Sequence, residues 1–196
     1  KRALNEVVET REHALACAKT VADRYRCNYE HANFLMETAC MIFDKIKTLH
    51  GLNPSYKLLL EIAAILHDCG YFINSKHHLN SNVDIVKYTD IYGLTDKTTL
   101  ITAYISRFAE SETPNYRDAE FASLKGSEKI IALKLAAIFR LANSLDKSQK
   151  QKLQSVKVRL DEDKFIITAK SDSNTRLEHW AFEKCSAFFQ EVFGVQ

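Results

Sequence analysis

The chain has 196 residues, of which 46% are hydrophobic and 27% are charged, and its formal net charge is +2. This ordinary globular balance excludes a disordered or fibrous protein, and the small net charge gives no electrostatic reason to expect nucleic acid or an anionic membrane as a partner. The longest apolar stretches fall short of the roughly 20 residues that a membrane-spanning helix needs.

The cysteines indicate the redox environment of the protein, and the first residues indicate whether the chain starts at a native translation start. Five cysteines form an odd set without CxxC spacing: Cys17, Cys27, Cys40, Cys69 and Cys185. Four of them lie in apolar helical patterns, where a thiol packs as a small hydrophobic group, so we expect a protein of the reducing cytoplasm. The chain starts with Lys1-Arg-Ala-Leu rather than Met, which indicates a fragment or a trimmed product.

Helical periodicity dominates the first 150 residues. With 5 Gly and 2 Pro there are few helix breakers, and apolar residues recur at spacings of three and four. Asn28 is a candidate N-cap, and Cys69-Gly70 is expected to end the third helix. The pattern predicts helices over about 4–26, 29–50, 54–67, 81–90, 95–110 and 127–145.

The pattern changes after Lys152. Apolar residues at 156, 158 and 160 and again at 165 and 167 alternate with polar ones on either side of Asp161-Glu162-Asp163, which predicts a β-hairpin. A last helix is expected over about 176–193. We therefore predict a mainly α fold, with a helical bundle over 1–150 and a small hairpin-plus-helix subdomain over 151–196 packed on it.

An adjacent imidazole and carboxylate end the apolar segment Leu58–Leu66. Burial of His67 and Asp68 without partners would be costly, whereas a divalent cation would compensate both groups. His31, in the first turn of the second helix, and Asp146, after the long apolar helix, are placed so that helix ends can bring them to the same point. The alternative is a buried hydrogen-bonded pair of His67 and Asp68, with Asp146 unrelated to it.

The order His31, His67-Asp68, Asp146 resembles the H…HD…D arrangement of HD-type metal-dependent phosphohydrolases. The resemblance implies an HD-domain-like bundle in which these four residues bind one divalent metal ion, with Mn, Fe, Ni, Co, Zn or Mg as candidates. Such an ion lowers the pKa of a bound water and polarises a phosphoryl oxygen, as the hydrolysis of a phosphate ester or phosphoanhydride requires.

Three longer segments narrow this resemblance: His67–His78, Ile101–Arg107 and Leu135–Ser148. They are similar to the C-terminal half of the exopolyphosphatase and guanosine-pentaphosphatase family, and the likeness covers essentially the whole chain. The family implies an N-terminal actin-like phosphatase domain, absent from this chain, that releases phosphate from polyphosphate or guanosine pentaphosphate. The fragment alone is therefore expected to lack that activity.

Two segments depart from the family pattern. Leu79-Asn80-Ser81 stands where the family often has Lys-His-Ser, and Arg107-Phe108-Ala109 stands in place of Arg-Tyr-His. Two potential ligands for a second metal are thus missing. We therefore expect a mononuclear rather than a binuclear site.

Basic residues near the HD pair are candidates for binding phosphate. His77 and His78 are expected to line the mouth of the site, binding phosphate or donating a proton, against surface or capping roles. Four further cations are candidates for an anion-binding rim: Lys76, Arg107, Arg140 and Lys147. The alternative is a solvated helix face for Arg107 and Arg140 and a charged loop for Lys147. A second hypothesis for the whole chain is a non-catalytic module that binds polyphosphate along a basic groove and supports a homodimer.

Overall fold

A computed structural model of the chain describes residues 2–110 and 117–195, with side chains from residue 9 onward. The helices are α1 (Arg2–Arg24), α2 (Tyr29–Lys45), α3 (Lys47–His50), α4 (Lys57–Leu66), α5 (Cys69–Ile73), α6 (His78–Tyr88), α7 (Asp96–Glu110), α8 (Ala119–Ser123), α9 (Gly126–Ser144) and α10 (Arg176–Phe193). An antiparallel hairpin of β1 (Gln154–Asp161) and β2 (Lys164–Lys170) lies between α9 and α10. The mainly α fold predicted from the sequence is confirmed, and no helix in the described ranges is long and apolar enough to cross a membrane.

Most predicted helices and strands are found within a few residues of their expected bounds, and α10 has the predicted bounds, 176–193. The third helix does end before Cys69-Gly70, but this dipeptide begins the short helix α5 instead of a loop. α8 has no counterpart in the prediction, and the Asp118 carboxylate caps its first turn. Residues 111–116 of the predicted polar stretch lie outside the described residues.

The larger hydrophobic core lies between α2, α4, α7 and α9. Phe43, Leu60, Tyr104 and Phe139 are among its fully buried members. The hairpin and α10 pack against this same cluster and contribute partly or fully buried aromatic side chains to it. Residues 151–195 therefore complete the main core, while the boundary at residue 150 stays a prediction.

The buried carboxylate of Glu61 explains how an acidic residue fits on the apolar helix α4. Arg11 of α1 donates from Nε to Glu61 Oε2 at 3.0 Å, and its Nη2 contacts the other carboxylate oxygen. A buried charge is tolerated when it is paired and hydrogen-bonded in this way. The pair joins α1 to α4, the helix that leads into His67.

The close packing of α5 on α6 depends on Gly70. A Cβ at this position would overlap the carbonyl oxygen of His78 and lie 2.8 Å from the backbone nitrogen of Asn82. Both obstacles are backbone atoms, so neither can move aside as a flexible side chain could. Gly70 therefore sets how closely the segment after Asp68 approaches α6.

We predict that Gly70→Ala destabilises the protein by about 1–3 kcal/mol, because overpacking at the α5–α6 contact outweighs the gain in helix propensity. The matched control is Gly126→Ala, since a Cβ there has nothing within 4 Å. Urea unfolding followed by circular dichroism measures both variants. An equal unfolding midpoint for Gly70→Ala and the parent chain would contradict the prediction.

Candidate metal site

His31 is placed by the start of α2. The side chain of Asn28 accepts a hydrogen bond from the His31 backbone nitrogen at 3.2 Å, which confirms the N-cap predicted from the sequence. His31 is fully buried in the first turn that follows. A capped first turn therefore fixes the position from which this imidazole enters the interior.

His67 and Asp68 form the junction between α4 and α5. Nε2 of His67 lies 3.0 Å from Oδ1 of Asp68, and the His67 ring is buried. Burial alone would lower the pKa of His67, but the Asp68 carboxylate outweighs it and the pKa is raised above the ordinary value. Burial would likewise raise the pKa of Asp68, and the charge of His67 reverses this and lowers it. Each group therefore favours the charged form of the other.

Asp146 follows the C-terminus of α9 and is as buried as His31. Its Oδ2 lies 2.7 Å from Nδ1 of His31. Gln151 adds two donors, with its backbone nitrogen 2.7 Å from Oδ1 and its side-chain amide 2.7 Å from Oδ2. The carboxylate thus has hydrogen-bond partners for both oxygens and holds the His31 ring by one nitrogen.

Three of the four predicted ligands converge. One ligand atom from each of His31, His67 and Asp68 lies within 4.8 Å of those of the other two, and the two imidazole rings are 5.0 Å apart between centroids. Among the described residues, the buried atom His31 Nε2 has no hydrogen-bond partner, whereas Asp68 Oδ1 has the ion-pair contact with His67 described above. Asp146 contacts the cluster through His31 Nδ1, and its direct ligation of a metal stays a prediction.

A polar loop after α9 holds both carboxylates, and sequence reasoning missed this role. Gln149 donates its side-chain amide to Asp68 Oδ2 at 2.7 Å, while Gln151 bonds Asp146. Both glutamines have positive φ values, 54° and 45°, a conformation that is uncommon outside glycine. The sequence feature that could have indicated their role is their position within six residues of Asp146. The loop has no periodicity, however, from which the direction of a side chain could be predicted.

The last helix anchors this loop through the buried Glu178. The backbone nitrogen of Ser148 donates to Glu178 Oε1 at 3.2 Å, and Lys152 Nζ lies 3.5 Å from Oε2. Lys152 also donates to the carbonyl of Asn174 at 2.9 Å. The segment after residue 150 therefore supports the site as well as the core.

His78 is held in a cluster with Tyr71 and Glu110. Nε2 of His78 lies 2.9 Å from Glu110 Oε2, and the Tyr71 ring stacks on the imidazole at 3.8 Å between centroids. Burial and the Glu110 charge raise the pKa of Tyr71 to about 12. The Glu110 charge also helps to raise the pKa of His67, which indicates that this cluster borders the site. His77, by contrast, is exposed in the turn before α6.

The four predicted rim cations do not form one group. Arg140 and Lys147 line the same cleft of about 170 Å³ between α7, α9 and α10. Arg107 is bound elsewhere, with Nη1 2.8 Å from the Asn80 side chain and Nη2 3.4 Å from Asp118. Lys76 has an exposed side chain, and neither it nor Arg107 is among the described residues that line this cleft.

A second cleft, of about 440 Å³, opens beside Asp68. It is lined by Cys27, Asn28, Tyr71 and Gln149 together with Asp68, Phe72 of α5 and the two residues that follow α1, Tyr25 and Arg26. Gln149 bridges this opening, since its side-chain oxygen accepts from Asn28 at 3.3 Å while its amide bonds Asp68. The Asp68 side of the cluster is thus reached from solvent past Gln149.

Comparison with known proteins identifies the family to which the chain belongs. A family model described as "Ppx/GppA phosphatase, domain III" matches residues 15–184, a range that includes His31, His67, Asp68 and Asp146. No curated protein matches the chain. Since the family model covers well over half of the 196 residues, the chain belongs to the Ppx/GppA phosphatase family, in which it corresponds to domain III.

Proposed function

We propose that this chain is the metal-binding, HD-type region of a phosphohydrolase that acts on polyphosphate or guanosine pentaphosphate. In this proposal one divalent ion is held by His31, His67 and Asp68, with Asp146 as a direct ligand or as the partner that orients His31. The reaction class is hydrolysis of a phosphoanhydride or phosphate ester.

One observation carries the proposal: three candidate ligands converge where the buried atom His31 Nε2 has no hydrogen-bond partner among the described residues. Leaving such an atom unsatisfied is costly. A bound cation would satisfy it and would also compensate the Asp68 carboxylate. The donor set fits a divalent ion, since imidazole nitrogen and carboxylate oxygen together suit Mn, Fe, Co, Ni or Zn better than Ca.

When bound, such an ion supplies Lewis-acid polarisation of a phosphoryl oxygen and lowers the pKa of water. The residues of the chain contribute orientation. With Nδ1 of His31 hydrogen-bonded to Asp146, Nε2 is left to face the cluster. Gln149 holds Oδ2 of Asp68, and Oδ1 lies 3.0 Å from Nε2 of His67. In this proposal His78, held by Glu110 and Tyr71, contacts a phosphate or donates a proton at the edge of the site.

We predict that the chelator-treated protein binds one equivalent of Co²⁺, Mn²⁺ or Zn²⁺, and that Asp68→Asn weakens binding by at least about tenfold because it removes the anionic ligand. Calorimetry, the visible absorption of bound Co²⁺ and elemental mass spectrometry measure this. Hydrolysis of a simple phosphate ester is assayed on the same samples and is expected to fall with metal content.

Asp172→Asn is the matched control, since Asp172 is exposed in the turn before α10. It is expected to bind metal as the parent chain does, and circular dichroism checks that both variants are folded. No metal uptake by the parent chain, even at high metal concentration, would overturn the metal-site proposal. Metal uptake without phosphate release would reduce the ion to a structural role.

The orientation of Asp68 by Gln149 gives a separate prediction. Gln149→Met keeps the side-chain length but removes the amide donor to Oδ2, and we expect roughly tenfold weaker Co²⁺ binding, as is typical when a group behind a metal ligand is lost. Lys150→Met in the same exposed loop is the control. Unchanged or tighter binding by Gln149→Met would show that Gln149 does not orient the carboxylate.

The non-catalytic alternative, a polyphosphate-binding and dimerisation module, is favoured by a different observation. Arg140, Lys147 and Lys184 line one cleft, where cations suit a chain of phosphates. Glu110 lies in the same lining, so the cleft is not uniformly basic. In this proposal binding needs no metal.

This alternative predicts that metal-free protein binds polyphosphate, with an affinity that falls steeply as salt rises. Lys147→Gln is expected to make the slope of log affinity against log salt shallower by roughly 0.7, the value per phosphate contact on single-stranded nucleic acid. Lys170→Gln, on the exposed hairpin, is the control. Fluorescence anisotropy with labelled polyphosphate measures binding, and sedimentation tests for a dimer. Polyphosphate binding that requires metal would contradict this alternative.

A further inference from the structure

The side chains of Cys27 and Cys69 are in direct contact. Their sulfur atoms are 2.6 Å apart, although both residues are free thiols. A disulfide bond is about 2.05 Å long, and its partners must approach within narrow limits of distance and direction. This contact therefore brings two thiols 42 residues apart in sequence to within a small displacement of covalent bonding.

The two cysteines differ in exposure. Cys27 is half-buried and lines the 440 Å³ cleft beside Asp68, so a small molecule can reach it from solvent. Cys69 is fully buried behind it. An external reagent thus reaches Cys27 first, and Cys69 is shielded from it.

We propose that Cys27 and Cys69 are an oxidative modification site that forms an intramolecular disulfide by exchange with a small disulfide such as oxidised glutathione. The Cys27 thiolate attacks one sulfur of the oxidant, which releases one glutathione thiolate and leaves a mixed disulfide on Cys27. The Cys69 thiolate then attacks the Cys27 sulfur and displaces the second glutathione. In total, two protein thiols are oxidised to one disulfide and one glutathione disulfide is reduced to two thiols, with the protons passing to the released glutathione.

The second step is favoured by contact rather than by thiol acidity. The hydrogen bond between Cys69 and Cys27, together with burial, raises the pKa of Cys69 above its ordinary value, which keeps its thiolate fraction small. The step is nevertheless intramolecular, between sulfur atoms that already touch. The proposal depends on this geometry alone and is independent of any metal at His31, His67 and Asp68.

The full chain is titrated with mixtures of oxidised and reduced glutathione, quenched by alkylation and analysed by intact mass and peptide mapping. We expect a Cys27–Cys69 cross-link with the loss of two hydrogen atoms, reversed by dithiothreitol, while Cys17, Cys40 and Cys185 remain alkylated thiols. Because the cross-link closes a loop of about 40 residues, the oxidised form is expected to melt roughly 5–10 °C higher.

Two variants test the order of attack. Cys69→Ser is expected to accumulate the glutathione adduct on Cys27, whereas Cys27→Ser leaves Cys69 unmodified while the protein stays folded. Cys185→Ser is the matched control and forms the cross-link normally. Early time points on the parent chain give the same information if a serine variant fails to fold. A persistent glutathione adduct on parent Cys27, first attack at Cys69, or no oxidation under conditions that oxidise an exposed dithiol peptide would each overturn the proposal.

Discussion

The hydrogen bond between His31 and Asp146 is the constraint on which the site depends. It joins the first turn of α2 to the end of α9 across 115 positions of sequence, and both side chains are almost completely buried. A buried carboxylate needs donors, and His31 and Gln151 supply them. Once Nδ1 of His31 is committed to Asp146, Nε2 is the nitrogen of that ring that remains for a metal ion. The arrangement corresponds to the carboxylate–histidine pairs that set the orientation of metal-binding imidazoles.

The second carboxylate is held by the same loop. Gln149 contacts Asp68 as Gln151 contacts Asp146, and the loop is in turn fixed to α10 through Glu178. A change in the packing of α10 would therefore move Glu178 and with it the backbone of Ser148. The displaced loop would then shift the side-chain amides of Gln149 and Gln151, which hold the two carboxylates. This explains how α10, which carries none of the predicted ligands, supports the site.

Sequence reasoning was most successful where periodicity and capping act locally. The helices, the hairpin and the Asn28 cap follow from spacing and from the chemistry of individual residues, and the convergence of His31, His67 and Asp68 follows from their places at helix ends. It was least successful for loops. The sequence does not show whether Asp146 binds a metal directly or orients His31, because that depends on which hydrogen-bond donors the fold brings to each carboxylate oxygen of Asp146.

The predicted rim shows the same limit for long cationic side chains. Arg107 and Arg140 both lie on helices beside apolar residues and look equivalent in sequence. In the fold, Asn80 and Asp118 hold the first, whereas the second turns toward the ring of Phe188, 5.5 Å from its centroid, in the cleft that Lys147 shares. The role of each arginine is set by partners more than ten residues away in sequence. The sequence alone therefore does not distinguish a cation that binds phosphate at the rim from one with a structural role.

The dithiol contact and the candidate ligands share their backbone. Cys27 directly precedes Asn28, which caps the helix of His31 and bonds Gln149, and Cys69 directly follows Asp68. Gly70 packs against the backbone of α6, so a shift of Cys69 toward Cys27 would act on the backbone next to Asp68. Residues that share a backbone shift are among those whose energies fail to add. If the two thiols form the proposed disulfide, we therefore expect the geometry around Asp68 to change with it, whether or not a metal is bound.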